Sequence, residues 1–113
     1  MGWSTLNVAM SGATGQGSFS TEGGILARIR ISGDVPGTAD ITILEDVGDG
    51  AAPFTLVTLT NVTVPYDGVL QVAAVSNVGA ATGTTVYPVV GGRFIVNVAQ
   101  GNAGNIKVSF LIV

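Results

Sequence analysis

The stretch ILARIRI, residues 25–31, decides the class of fold, because apolar and charged side chains alternate along it. Successive side chains of a β-strand point to opposite faces of a sheet, so this spacing predicts a half-buried strand. Its two arginines, Arg28 and Arg30, are expected to face solvent. The expected inner face consists of Ile25, Ala27, Ile29 and Ile31.

Similar short apolar runs, separated by turns rich in glycine, proline, asparagine and aspartate, continue to the end of the chain. The 17 glycines and many β-branched residues disfavour helices, and no segment of ten or more residues has a helical period. The chain is therefore predicted to be all-β. We expect one domain over residues 1–113, an antiparallel β-sandwich of seven to nine short strands with jelly-roll-like connections.

Two glycine-rich stretches are interpreted as connections between strands. Residues 11–24 combine five glycines with serine and threonine, which predicts a flexible polar loop. Gly91-Gly92 separates the predicted strand over 84–90 from the alternating residues 93–98. A glycine pair in that position is typical of a two-residue β-hairpin turn.

Charge is scarce: 10% of the residues are charged, against about 25% in typical domains. The net charge is −3, and the four cations are scattered, too few to displace counterions from nucleic acid or to bind an anionic membrane. Neither nucleic acid nor membrane is an expected partner. So few charges instead predict that part of the surface is covered by copies of the same chain or by a larger assembly.

One long segment, Gly68–Gly92, has no charged residue at all. Exposed strand edges are usually protected by charged side chains. The segment therefore indicates covered strands, and two arrangements satisfy that expectation. The strands form a central hairpin within the sandwich, or a neighbouring subunit covers them.

Residues that carry catalysis are missing from the sequence. With no histidine and no cysteine there is no imidazole base and no thiolate, and Lys107 has no lysine–serine motif around it. Glu45, Asp46 and Asp49 form an acidic turn over 45–50 that lacks the spacing and the closing glutamate of a calcium loop. We expect no enzyme activity, no cofactor and no metal site, with cation binding by the acidic turn left open.

Aromatic side chains are few and dispersed. The phenylalanines are expected to pack in the core, whereas Trp3, Tyr66 and Tyr87 are candidates for an interface, where amphipathic rings are common. The first residues show neither the basic region nor the apolar region of a secretion signal. Synthesis and assembly in a cytoplasm are therefore expected.

Four segments carry a resemblance to a known group of proteins. GTADITILED (37–46) and FTLVTLTNV (54–62) are similar to adjacent segments of small virion proteins of tailed bacteriophages, and so are YPVVGGR (87–93) and VNVAQG (96–101). Together they span roughly the last two-thirds of the chain. Such proteins often carry a longer polar insert with a W/Y-x-x-P-R element after the second segment, and here PYDG (65–68) stands in its place.

The resemblance implies a capsid decoration, or cement, protein that sits as a homotrimer on the virion surface after assembly in the host cytoplasm. Its partners would be copies of itself and the major capsid protein. A second hypothesis is a carbohydrate- or receptor-binding module of a head or tail fibre, which predicts a groove with aromatic and carboxylate side chains in reach of each other. A third is a cytoplasmic β-sandwich adaptor.

Overall fold

The computed structural model describes residues 2–113, so Met1, the first residue of the predicted domain, lies outside the described residues. No helix of a length and apolarity sufficient to cross a bilayer occurs in the described part of the chain. The strands are β1 (Gly2–Val8), β2 (Met10–Ser11), β3 (Thr14–Ser20), β4 (Gly24–Gly33), β5 (Gly37–Asp46), β6 (Phe54–Val64), β7 (Tyr66–Gly68), β8 (Val72–Val75), β9 (Ala81–Val86), β10 (Val89–Val90), β11 (Arg93–Ala99) and β12 (Ile106–Ile112).

Two five-stranded antiparallel sheets make up the molecule, together with a separate two-stranded sheet of β8 and β9. Sheet I has the order β1-β12-β4-β10, and β7 also pairs with β4. Sheet II has the order β2-β3-β11-β5-β6. Since apolar side chains from both sheets are buried in one cluster, the architecture is that of a β-sandwich.

Strand pairing is nested along the chain. β1 pairs with β12, β3 with β11, β4 with β7 and β5 with β6, as if one long hairpin were wrapped around a core. The pairs β4–β12 and β5–β11 then join these units within each sheet. This is the strand order of a jelly roll, so the predicted all-β, jelly-roll-like sandwich is confirmed. It has twelve described strands rather than the expected seven to nine, because short pairings such as β2 and β10 and the separate β8–β9 sheet add to the main strands.

The core lies between the sheets and is centred on three phenylalanines. The rings of Phe94 and Phe110 stack with centroids 4.8 Å apart, and Phe19 lies 5.4 and 5.2 Å from them. Phe54 is different: it is the first residue of β6, the outermost strand of sheet II, and its side chain is 61% exposed. Core packing was the wrong prediction for Phe54 and the right one for the other three.

A bulge in the β4–β12 pairing changes which residues of β4 face the core. Leu111 pairs with Arg28 while Ile112 pairs with Leu26, so Ala27 is the extra residue between them. The bulge reverses the alternation on its N-terminal side. Leu26 is consequently buried and Ile25 is 42% exposed, so the inward placement of Ile25 was wrong. Beyond the bulge the predicted faces of this strand are confirmed.

The flexible loop predicted over 11–24 is wrong in its central part, which is β3. Two glycines of β3, Gly15 and Gly17, are covered by side chains of β1 and β2. A Cβ added at Gly15 would lie 2.7 Å from Sδ of Met10, and one added at Gly17 would lie 3.2 Å from a methyl carbon of Leu6. The glycines therefore serve close packing rather than flexibility.

Gly91-Gly92 does not form the predicted hairpin, because β10 belongs to sheet I and β11 to sheet II. The pair carries the chain from one sheet to the other. Both glycine amides donate hydrogen bonds to Oε2 of Glu45, at 2.9 and 3.1 Å. The buried Glu45 carboxylate thus satisfies two backbone donors of the segment that crosses between the sheets.

Candidate functional site

The uncharged segment lies mostly outside the sandwich. β8 and β9 pack chiefly against each other, within the connection between β7 and β10, and all six residues of β9 are exposed. A central hairpin within the sandwich was therefore the wrong expectation. The nested pairs of the jelly roll are complete without this hairpin, so its strands have no place in either sheet.

Apolar side chains are concentrated around this hairpin. Val78, in the turn between β8 and β9, is 83% exposed, and Tyr87, directly after β9, is 46% exposed. We use the name uncharged surface for the exposed side chains of Val69, Val78, Val86, Tyr87 and Val89. Exposed apolar groups close together along the chain, with no charge among them, are typical of surfaces that bind another molecule.

Sheet I carries a polar cluster on its outer face. Asp67 of β7 accepts two hydrogen bonds from Arg28 of β4, from Nε at 2.7 Å and from Nη2 at 2.6 Å. Nε of Arg30 donates a third to the same carboxylate at 3.0 Å, and its guanidinium carbon lies 5.7 Å from the centroid of the Trp3 ring. Bidentate pairing and stacking on an aromatic ring both fix the orientation of a guanidinium group.

Contacts within this cluster shift the pKa values of Asp67 and Arg28. The hydrogen bond from Arg28 is the main cause that lowers the pKa of Asp67 below its ordinary value of 3.8, and Arg30 adds to the effect. The same hydrogen bond raises the pKa of Arg28. The carboxylate is thus held in its charged form, which accepts hydrogen bonds but donates none.

A testable consequence concerns the pH dependence of stability. A carboxyl with a depressed pKa in the folded state contributes stability above its ordinary pKa, and this contribution is lost as the pH falls through the depressed value. We expect Asp67→Asn to unfold at lower urea concentration than the wild type at pH 7, and the two midpoints to converge as the pH falls below about 3.8. Asp49→Asn is the control, because Asp49 makes no ion pair within the described chain. If the urea midpoints of Asp67→Asn and the wild type differ as much at pH 2 as at pH 7, the stabilisation by Asp67 does not come from its charge.

An open groove of about 440 Å³ lies beside the polar cluster. Its lining includes the charged pair Arg30 and Asp67, the aromatic Tyr66 and the hydroxyl of Ser109. The groove thus combines an aromatic ring with several hydrogen-bonding groups, as ligand sites commonly do.

In the acidic turn the aspartates have local partners. Asp46 accepts a hydrogen bond from the amide of Gly48 at 2.9 Å, and Asp49 accepts one from Ala51 at 3.0 Å. Arg93 also approaches Asp46 at 3.4 Å. Within residues 2–113 no group of three or more acidic, histidine or cysteine side chains could hold a metal ion. The turn is thus accounted for by its own hydrogen bonds.

The structure distributes the three predicted interface aromatics over three places. Trp3 is 44% exposed on the outer face of sheet I, whereas Tyr66 packs partly against the core. Tyr87 lies on the uncharged surface, and no ring pair joins the three within the described residues. Sequence reasoning missed Asp67, because 39 positions separate it from Arg28 and only the β4–β7 pairing brings the two together.

Two surfaces are therefore available for binding, one uncharged at the hairpin and one polar on sheet I. Both consist of groups that contact a partner, by burial of apolar area at the first and by hydrogen bonds at the second. No family model matches the sequence, and neither a curated protein nor a solved structure matches the chain.

Proposed function

We propose that this chain is a capsid decoration protein of a tailed bacteriophage, which assembles as a homotrimer and binds the head shell. The observation that carries the proposal is the uncharged surface in and around the β8–β9 hairpin. Val78 and Val86 belong to the hairpin, and Val69, Tyr87 and Val89 flank it within a stretch of the chain that has no charge. Burial against another protein removes such side chains from water, with a gain of about 25 cal/mol per Å² of apolar area.

The size of the exposed surface supports association. A compact monomer of 11.3 kDa exposes about 5,700 Å², whereas this chain exposes 6291 Å². Its radius of gyration is 14.3 Å, against about 13 Å for a compact domain of this length. A hairpin that packs chiefly against itself is consistent with the larger surface and radius, and it offers area for contact with a neighbour.

As a decoration protein the chain would act by adding contact area. The jelly roll supplies a rigid body, and a trimer of such bodies spans neighbouring capsomers and resists outward pressure on the shell. Its partners are copies of itself and the major capsid protein. Aromatic anchors supply much of the energy of protein interfaces, so Tyr87 and Trp3 are the side chains whose removal should weaken binding most.

A second candidate function is binding of a carbohydrate or receptor by a head or tail fibre. The groove on sheet I favours it, since Tyr66, Asp67 and Arg30 line one open space. A sugar ring packs on aromatic faces and exchanges hydrogen bonds with carboxylate and guanidinium groups. This function uses the polar surface and leaves the uncharged surface unexplained, which is why we place it second.

Light scattering over a concentration series down to about 1 µM, followed by co-sedimentation with head shells prepared without this protein, tests the proposal. We expect a persistent mass of three 11.3 kDa chains and saturable sedimentation with the shells. A stable monomer that stays in the supernatant would contradict it. Glycan binding that Asp67→Asn abolishes, together with that monomer, would favour the second candidate.

A further inference from the structure

We infer that the trimer forms by strand addition, with β9 of one copy pairing along the free edge of β6 in the next copy. The inference rests on the proposed homotrimer and names its interface. Two strand edges of this chain contain neither charge nor proline, and they belong to different parts of the molecule. A second copy of the same chain therefore offers each unpaired edge a matching one.

The first edge is that of β9. It pairs with β8 on one side only, and within the described residues its other side has no neighbouring strand. An isolated two-stranded sheet is marginally stable in water, whereas a third strand gives it independent stability. The strand contains neither proline nor a charged residue, and all six of its residues are exposed. Each of these properties favours addition of another strand.

The second edge is that of β6, the outermost strand of sheet II. With 11 residues it is the longest strand described, and it too contains no charge and no proline. At its start the exposed ring of Phe54 adds apolar area. Long, uncharged, β-branched edges of this kind are sites of strand addition.

The other edges of the two sheets fit less well. β7 is three residues long and carries Asp67, whose carboxylate is paired with arginines of β4. β1 is uncharged, but it packs beside β3, which limits access to it. β2 and β10 have two residues each and β8 has four, too few to pair with the whole of β9. Among the edges described, β6 therefore remains as the acceptor.

Symmetry also requires two different edges. Pairing of β9 with β9 is isologous and closes at a dimer, whereas a three-fold ring needs a heterologous contact between two distinct surfaces. Pairing of β9 with β6 is heterologous. The hairpin strand has six residues, so it covers about half of the eleven-residue acceptor.

Lysine at an edge strand blocks pairing, and this provides the test. Thr84→Lys alters β9 and Thr58→Lys alters β6, at exposed positions in both cases. Each variant is expected to lower the mass by light scattering threefold, from trimer to monomer. Asn97→Lys is the matched control, since it adds the same charge to the exposed side of β11, which is flanked by β3 and β5, and it should remain trimeric. Far-ultraviolet circular dichroism verifies that every variant is folded.

Mixing the two monomeric variants distinguishes β9–β6 pairing from other contacts. The Thr58→Lys chain keeps an intact β9, and the Thr84→Lys chain keeps an intact β6, so the mixture retains one functional junction. We expect a heterodimer with twice the monomer mass. A trimer that persists in either variant, or a mixture that stays monomeric, overturns this interface and leaves the proposed function standing.

Experiments on the wild-type protein distinguish failure of the β9–β6 interface from failure of the proposed decoration function. A wild-type monomer that sediments with shells, and loses that binding in Thr84→Lys, overturns the inference because the capsid protein then occupies β9. A wild-type monomer that does not sediment with shells overturns the proposed function itself.

Discussion

Replacement of Phe94 by alanine is expected to lower the free energy of unfolding by about 3–5 kcal/mol. The ring is fully buried, stacks on Phe110 at 4.8 Å and lies 5.4 Å from Phe19, so its removal leaves a cavity between the two sheets. β11, which carries it, is paired on both sides, by β3 and β5, and cannot move far to fill that space. Domains of this size have a total stability of about 5–15 kcal/mol, so the loss is a large part of it.

Urea unfolding measures this effect, with Phe54→Ala as the matched control. Phe54 is largely exposed, and its removal should change the unfolding free energy by no more than about 0.5 kcal/mol. Repeating the measurement over a series of protein concentrations identifies any part of the unfolding free energy that comes from association, because only that part depends on concentration. Losses of equal size in the two variants would contradict the placement of these rings.

Gly92→Ala is expected to destabilise the protein by about 3 kcal/mol, because the new methyl group has no space. A Cβ at this position collides with the backbone carbonyl of Asp46, and a backbone atom cannot rotate away as a side chain can. Relief of the collision requires movement of the segment that crosses between the sheets. That movement weakens the hydrogen bonds from both glycine amides to Glu45.

The neighbouring glycine supplies the control. Around Gly91 an added Cβ would meet nothing within 4 Å, and alanine keeps the amide that donates to Glu45. We expect Gly91→Ala to lie within about 0.5 kcal/mol of the wild type in the same urea measurement. If the two alanine variants lose equal stability, the strain does not come from the contact with Asp46.

The alternation along residues 25–31 was sufficient to predict a strand, and the turn spacing was sufficient to predict a jelly-roll-like sandwich. The inner face was predicted correctly only on one side of Ala27. A bulge depends on the register with β12, and a local pattern holds no information about a strand whose paired residues are 83 and 86 positions away. A glycine in a sequence is equally compatible with a flexible loop and with close packing. Gly15 and Gly17 were predicted to be flexible and are closely packed.

The candidate site was predictable in composition but not in position. The missing charges of Gly68–Gly92 marked the segment in the sequence, yet an uncharged strand fits a core and a binding surface equally well. Its position became clear only when the two sheets were complete without it. The pairing of Arg28 with Asp67 had no local signal at all, since it arises from the pairing of β4 with β7.

The central place of β12 in sheet I has a consequence for folding during synthesis. β12 pairs with β1 on one side and with β4 on the other, so these two strands lack their shared neighbour until residues 106–112 have left the ribosome. Pairing of β1 with β12 also requires closure of a long loop, which slows folding to the range of milliseconds to seconds. Sheet I therefore keeps open strand edges until residues 106–112 have emerged from the ribosome, and the jelly roll cannot close before that point.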